Sequence, residues 1–169
     1  EACWVIDKKW YDDPKTHYSV VKGHQANSGF YYKYGDGQRY AIDISPPGAK
    51  GTPQYAIFGG VVTRTNLPSS RGTNGGIEIT TTLPGGKTIK TLYAHSSGIT
   101  QKVGDTVPTC GQIGVLDSLG NSSVPHIHLE INYDGKPICG NDIMNDLAQN
   151  KPINLDNLAS RATLNCLGR

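Results

Sequence analysis

Long apolar runs are missing from this chain of 169 residues. No stretch approaches the roughly 20 consecutive apolar residues that a membrane-spanning helix requires. The opening EACWVIDKKW also lacks the basic and then apolar order of a secretory signal peptide. We therefore expect no membrane segment, and we expect the sequence to represent a mature form.

The chain also has little excess charge of either sign. Its 16 basic and 14 acidic side chains leave a formal net charge of +2. This charge is too small for the electrostatic footprint of a nucleic-acid-binding protein, although it is compatible with an anionic polymer surface. We expect no nucleic-acid partner.

Paired cysteine motifs are missing as well. None of the four cysteines belongs to a C-x-x-C pair, which argues against a structural zinc knuckle. Cysteines near both ends of a chain suit disulfide bonds formed in an oxidising compartment. We expect two disulfides in a secreted or periplasmic protein, with Cys3–Cys110 and Cys139–Cys166 as the preferred pairing. The sequence does not choose firmly among the connectivities, and four buried free thiols are the alternative.

Turn-forming residues, in contrast, are abundant. The 21 glycines and 10 prolines favour many short elements over long helices. Alternating apolar and polar residues predict strands over the segments RYAIDIS, QYAIFGGVVTRTN, GGIEITTTL, KTIKTLYAH, QIGVLDS and HIHLEINY. The short spacers between these segments imply that neighbouring strands are antiparallel.

The length suits a single domain over residues 1–169, and the predicted fold class is mainly β. We expect residues 1–39 to be irregular, with short strands at HYSVV and GFYYKY. Helical spacing in NDIMNDLAQN and INLDNLASRATLNCL predicts short C-terminal helices in the tail 136–169.

The chain has only five histidines, and two of them are one residue apart in VPHIHLEI. His126, His128 and Glu130 alternate with apolar residues, which predicts a half-buried strand with both imidazoles on one face. Such a pair can bind a metal ion together. Alternatively, one histidine can be a metal ligand while the other acts as an acid or base. A pair of packed structural histidines is the alternative, and the rest of the chain decides between them.

Two further segments supply candidates for the same site. In KTIKTLYAH the alternation places Tyr93 and His95 on one face, from which His95 can meet the other two imidazoles. In RYAIDIS, Asp43 lies between two isoleucines, so its carboxylate must reach solvent or find a partner. Imidazoles and a carboxylate are ligands that zinc takes, and catalytic zinc sites leave one position for water.

These motifs form an ordered series. LYAHSSGITQKVGDTVPTCGQIGVLDSLGNSSVPHIHLEI resembles the core of the lysostaphin/LytM-type zinc endopeptidases, and YAIDISPPGAKGTPQYAIFGGVV resembles the aspartate strand of that family. The similarity covers residues 40–131. It implies an antiparallel, barrel-like β core of the duplicated-hybrid-motif type. It also implies a secreted, bacteriolytic peptidase that acts on peptidoglycan stems or cross-bridges, with Gly–Gly bonds as the substrate of several members.

The resemblance further implies residue roles. Asp43 and His128 match metal ligands, while His95 and His126 match catalytic residues. One zinc ion per chain would activate the attacking water. We prefer His126 as the general base, with His95 stabilising the oxyanion or protonating the leaving amine, and an exchange of these two roles stays open.

One position departs from the family pattern. Many members place the first metal-binding histidine four residues before the aspartate, where this chain has Arg39, and a guanidinium cannot bind zinc. The extracellular β-lytic and staphylolytic branch has this histidine further upstream. The segment GHQANSGFYYKYGDGQRYAID resembles that arrangement, with His24 as the ligand in a loop rich in small and polar residues. His17, in KTHYSVV, is the competing candidate.

The remaining expectations concern substrate and function. Tyr93, Tyr32 and Tyr34 are candidates for lining a substrate groove, and ordinary packing on the sheet is the alternative for each. We expect a monomer whose partner is a peptidoglycan peptide. A catalytically degenerate scaffold or hydrolase activator, marked by Arg39, is the rival function. A secreted zinc-binding protein without catalysis is the second rival.

The ligand assignment is tested by two matched histidine variants. We expect His24→Ala to lose both bound zinc and peptidase activity, because it deletes a metal ligand. The control His17→Ala should keep both, and Arg39→Ala should alter substrate affinity at most. Elemental analysis and peptide hydrolysis measure the outcome. Loss of metal in His17→Ala instead would move the ligand assignment to His17.

Overall fold

A computed structural model describes residues 3–22, 40–66, 68–69, 72–73, 75–119, 124–138, 140–151, 153 and 158. Strands form where the sequence alternates between apolar and polar residues. The elements are α1 Lys8–Asp12, β1 His17–Lys22, β2 Tyr40–Ser45, β3 Pro53–Tyr55, β4 Gly60–Thr65, β5 Pro68–Ser69, β6 Gly72–Thr73, β7 Ile77–Thr82, β8 Thr88–Ala94, β9 Thr106–Val107, β10 Gln112–Val115, β11 Ile127–Tyr133, β12 Lys136–Pro137 and α2 Gly140–Ala148.

One antiparallel sheet dominates the described part of the chain. Its strand order is β1-β2-β11-β8-β7-β4-β9, and β12 pairs with β11. The strand β11 therefore lies between β2 and β8, although both of these precede it by a long stretch of sequence. The prediction of a mainly β, antiparallel fold is confirmed. Within the described ranges the sheet is open and does not close into a barrel.

The two faces of the sheet differ in chemistry. Alternate residues of the central strands form one buried apolar cluster, which includes Ile42, Ile44, Ile77, Ile79, Ile89, Tyr93, Ile127, Leu129 and Ile131. A fully buried side chain of this size contributes roughly 1.5–3 kcal/mol. The residues between them, among them Asp43, Glu78, His128 and Glu130, point to the opposite face. We call that opposite face the polar face.

The prediction of one continuous strand over QYAIFGGVVTRTN is wrong. The segment is divided into β3, which pairs with β10, and β4, which pairs with β7 and β9. Between them the Ala56 N–H donates to the carbonyl of Gly111, and the Ile57 N–H donates to the hydroxyl of Tyr93. These partners are distant in sequence, so local alternation carries no sign of the break.

The ends of the chain agree in part with expectation. The segment HYSVV forms β1, and NDIMNDLAQN forms α2, which packs against β1 and β2. The short helix α1 lies in a region predicted to be irregular. The segment GFYYKY and most of INLDNLASRATLNCL lie outside the described residues. No helix in the described ranges is long and apolar enough to cross a membrane.

A disulfide bond joins the N-terminal segment to the loop after β9. Cys3 and Cys110 are bonded with a Cα–Cα distance of 5.3 Å, as predicted. The backbone reinforces this link, because the N–H groups of Cys3 and Cys110 donate to the carbonyls of Ile57 and Ala56. Cys139 and Cys166 lie outside the described residues, so their pairing stays a prediction.

Removal of this bond is expected to destabilise the fold. The cysteines are separated by 107 residues, and closing a loop of that length lowers the free energy of the folded state relative to the unfolded state by about 4.7 kcal/mol in the chain-entropy model. We expect Cys3→Ser combined with Cys110→Ser to lose a large part of this free energy in denaturant unfolding. An unchanged unfolding midpoint would show that the bond contributes nothing to stability.

Candidate metal centre and active site

The register of three adjacent strands builds the centre of the site. His128 on β11 lies directly opposite Asp43 on β2 and opposite Ala94 on β8. Because opposite residues share a face, Asp43 and His128 both project from the polar face. The predicted pairing of these two residues at one site therefore follows from strand geometry alone.

His128 is held at both ring nitrogens by carboxylates. Its Nδ1 lies 3.0 Å from Oδ1 of Asp43, and its Nε2 lies 2.7 Å from Oε2 of Glu130. Burial alone would lower the pKa of His128, but the two carboxylates outweigh it and raise the pKa to about 9. Burial likewise opposes ionisation of Asp43, yet its hydrogen bond to His128 and the neighbouring imidazoles lower its pKa below the ordinary value.

His126 precedes β11 and forms the more open edge of the site. Its Nδ1 lies 2.8 Å from the carbonyl oxygen of Val124. A carbonyl only accepts, so Nδ1 carries the proton and Nε2 carries the lone pair. That Nε2 lies 3.6 Å from Oδ1 of Asp43. The side chains of His126 and Asp43 are 10% and 24% exposed, against 4% for His128, so solvent reaches the site from their side.

His95 reaches the site through an unusual backbone conformation. Its φ is +69°, in the left-handed region that non-glycine residues rarely adopt and that costs about 1–3 kcal/mol. Nδ1 donates to the Leu119 carbonyl at 2.6 Å, which leaves the lone pair on Nε2. The ring centroid lies 4.9 Å from that of His126. Burial lowers the pKa of His95 to about 4.

The placement of Tyr93 and His95 on one face is wrong. Tyr93 is fully buried in the apolar cluster, where its hydroxyl accepts the N–H of Ile57 at 2.9 Å. Tyr93 therefore packs in the core and does not line a groove. The positive φ at His95 interrupts the alternation, so its ring joins the other two imidazoles on the polar face.

The three imidazoles together form a cluster able to hold a metal ion. One nitrogen each from His95, His126 and His128 lies within 4.8 Å of the others. Metal-binding histidines usually donate their second ring N–H to a carboxylate or carbonyl, and all three rings have such an acceptor. In tetrahedral geometry, zinc ligands at about 2.0–2.2 Å from the ion are about 3.3–3.6 Å apart. Oδ1 of Asp43 lies 3.0 Å from Nδ1 of His128 and 3.6 Å from Nε2 of His126, and both distances are close to this range. Asp43, His126 and His128 therefore fit a zinc ion.

Several predicted site residues are not part of this cluster. His24, Arg39, Tyr32 and Tyr34 lie outside the described residues, so their roles stay predictions. His17 is the first residue of β1, where it pairs with Ser45 and is exposed.

Sequence reasoning missed the groups that orient the histidines. Glu130 continues the period of two in HIHLEI, which was the available signal for its contact with His128. The carbonyls of Leu119 and Val124 left no such signal, because any residue type supplies a backbone oxygen.

The antiparallel sheet carries a histidine cluster able to hold a metal ion, and comparison with known proteins identifies the family. Residues 37–139, more than half of the chain, match the profile of Peptidase family M23. The chain belongs to peptidase family M23, as the resemblance predicted. This family is zinc-dependent.

Curated proteins from two Neisseria species resemble part of the chain. The DD-carboxypeptidase/endopeptidase Mpg proteins of Neisseria meningitidis serogroup B and Neisseria gonorrhoeae are 34% identical over 97 residues, which are 57% of this chain and 20% of theirs. The chain thus spans about a fifth of the length of these curated relatives.

Solved structures share the fold. The catalytic domain of the antimicrobial peptidase lysostaphin from Staphylococcus simulans has a TM-score of 0.51 at 24% identity, covering 76% of this chain and 87% of that one. A chain of the SpoIIQ–SpoIIIAH pore-forming complex has a TM-score of 0.60 at 21% identity, covering 96% and 97%. These similarities establish the lysostaphin-type fold.

The opposite pKa shifts predict different protonation of two neighbouring histidines in the metal-free protein. At pH 7 we expect His128 to be doubly protonated, because the carboxylates hold its proton until the pH rises through about 9. We expect His95 to be neutral, because burial prevents protonation until the pH falls through about 4. Nitrogen-15 NMR of the imidazoles measures both. A neutral His128 beside a protonated His95 would contradict this electrostatic description.

The same shifts link stability to pH. The raised pKa of His128 adds stability that is complete below its ordinary value of 6.5 and is lost as the pH rises through about 9. The lowered pKa of His95 affects stability at acidic pH, where stability is lost as the pH falls from 6.5 through about 4.

Proposed function

We propose that the chain is a zinc-dependent endopeptidase that hydrolyses peptide bonds of bacterial peptidoglycan. One observation carries the proposal: each of three histidines offers one ring nitrogen within 4.8 Å of the others, each ring is oriented by an acceptor, and Asp43 lies beside two of them. A purely structural cluster has no need to turn three imidazole nitrogens toward one point.

Asp43 and His128 hold the zinc ion in this proposal, with His24 as the third ligand. The carboxylate Oδ1 and imidazole Nδ1 already face each other at 3.0 Å. When bound, zinc supplies Lewis-acid chemistry, lowering the pKa of a water toward 7 and polarising the scissile carbonyl. His126, whose Nε2 is 3.6 Å from Asp43, is the alternative third ligand.

The other two histidines move protons. His126 is at the solvent-accessible edge, and its Nε2 accepts the proton of the attacking water while its Nδ1–H stays bound to the carbonyl of Val124. His95 lies 4.9 Å away, ring to ring, and supplies a hydrogen bond to the developing oxyanion or a proton to the leaving amine. The carbonyls of Leu119 and Val124 keep both rings oriented.

Peptidoglycan peptides are the proposed substrate because the family acts on them. The neisserial relatives are described as both carboxypeptidase and endopeptidase, and the stem or cross-bridge, including Gly–Gly bonds, is the proposed site of cleavage. We propose a monomer secreted to the cell exterior or periplasm. The disulfide between Cys3 and Cys110 supports such an oxidising compartment.

The rival proposal is a catalytically degenerate scaffold or hydrolase activator. Arg39 occupies the position of a usual ligand, and a chain of the SpoIIQ–SpoIIIAH pore-forming complex has a similar fold. Against it, Asp43, His95, His126 and His128 are all present and, in the described part of the chain, their donor atoms converge. A scaffold places no chemical requirement on four such residues.

We expect replacement of His126 and replacement of His128 to have different effects on zinc binding and hydrolysis. His128→Ala should lose zinc because it deletes a ligand, whereas His126→Ala should keep zinc and lose hydrolysis because proton transfer is removed. Zinc-to-protein ratio and cleavage of defined muropeptides, followed by mass spectrometry, measure the two effects. Equal zinc loss in both variants would place His126 among the ligands.

Zinc content and peptide cleavage of the wild-type chain distinguish the enzyme from the scaffold. We expect about one zinc per chain, as in a mononuclear catalytic site, and cleavage products that disappear with a chelator and return with added zinc. A zinc ratio near zero, with no cleavage after zinc addition, would support the scaffold.

A further inference from the structure

Glu130 is a buried carboxylate that the proposed reaction leaves without a role. It lies on β11 two residues after His128, and only 4% of the residue is exposed. Its Oε2 is 2.7 Å from Nε2 of His128. A buried carboxylate without compensating hydrogen bonds or charges costs several kcal/mol, so this contact accounts in part for why a charge is tolerated there.

The contact lies on the side of the ring away from Asp43. Nε2 of His128 faces Glu130, while Nδ1 faces Asp43. A carboxylate only accepts, so Glu130 retains the proton on Nε2. With that proton in place, Nδ1 is the nitrogen that can give up its proton and bind a metal.

The acceptor at His128 also differs in kind from the acceptors at the other two histidines. His95 and His126 donate to neutral backbone carbonyls. His128 donates to an ionised side chain, and hydrogen bonds to ionised acceptors are roughly twice as strong as neutral ones. Such a partner also makes the opposite nitrogen a better metal ligand. The strongest of the three restraints thus acts on the proposed ligand.

We propose that Glu130 is a positioning residue for the metal centre: by accepting the Nε2–H of His128, it fixes the tautomer and ring orientation in which Nδ1 binds the metal beside Asp43. This inference rests on the proposed function, because it assigns His128 as a ligand. Glu130 itself neither binds the metal nor contacts the substrate.

The chain offers a matched control in Glu78. It is also a buried carboxylate on the polar face, 1% exposed, and both Glu78 and Glu130 lie opposite Leu92 of β8, on its two sides. Its contacts are with Arg64 at 3.4 Å and with the hydroxyl of Thr63. Glu78→Gln therefore changes a buried charge on the same face without removing a restraint on His128.

The test compares Glu130→Ala, Glu130→Gln and Glu78→Gln in the full chain. Zinc affinity is measured by competition with a chelating dye, and the Nε2–H of His128 is followed by proton–nitrogen NMR in the metal-free state. We expect Glu130→Ala to weaken zinc binding by about 10- to 100-fold and to lose the exchange-protected Nε2–H signal. Glu130→Gln should lose less affinity and keep the signal, because its amide oxygen accepts the same proton. Glu78→Gln should match wild type in both.

Two results would overturn the proposal. One is zinc affinity and Nε2–H protection in both Glu130 variants equal to wild type. The other is an equal loss of affinity in Glu78→Gln, which would reveal a general effect of buried charge. If Glu130→Ala does not fold, the zinc affinity of Glu130→Gln decides: a loss relative to both wild type and Glu78→Gln supports the proposal, and wild-type affinity overturns it. A wild-type chain that binds no zinc contradicts the proposed function, and the metal-free NMR signal then still decides whether Glu130 orients His128.

Discussion

The register between β2 and β11 is the constraint on which the site depends. It places His128 opposite Asp43, and on the other face it places Ile127 opposite Ile44 in the apolar cluster. A shift by one residue would bury the carboxylate among isoleucines and expose the apolar side chains, at a cost of several kcal/mol. The packing that stabilises the sheet therefore also sets the 3.0 Å spacing between the proposed ligand atoms. Fold stability and site geometry have the same physical origin.

Local periodicity predicted the parts of the site that lie within strands. The alternation around His128 and Asp43 predicts correctly which residues share a face, because a strand has a fixed period of two. The same rule failed at His95, since it holds only while the backbone stays extended and φ there is +69°. It also placed Tyr93 on the face of His95, whereas Tyr93 is buried in the apolar cluster and its hydroxyl accepts a backbone N–H from Ile57, which is distant in sequence. Contacts between residues distant in sequence decide such cases, and a local pattern does not encode them.

Side chains, and not the fold, favour hydrolysis over a structural role. Similar folds occur in an antimicrobial peptidase and in a pore-forming complex, so architecture alone does not separate an enzyme from an assembly component. The features that favour the enzyme are the convergence of three imidazole nitrogens and the acceptors that orient each ring. Glu130 adds a further restraint, because it contacts Nε2 of His128 on the side of the ring opposite Asp43.

The location of the metal is the most direct test. Crystals of the zinc-loaded chain, with an anomalous difference map calculated at the zinc absorption edge, show which atoms surround the ion. We predict one peak per chain, about 2.0–2.2 Å from Nδ1 of His128 and from Oδ1 of Asp43, with the Nε2 atoms of His95 and His126 beyond bonding distance. Absence of a peak at this position, or a peak bound by Nε2 of both His95 and His126, would contradict the proposed division between metal ligands and proton-transferring histidines.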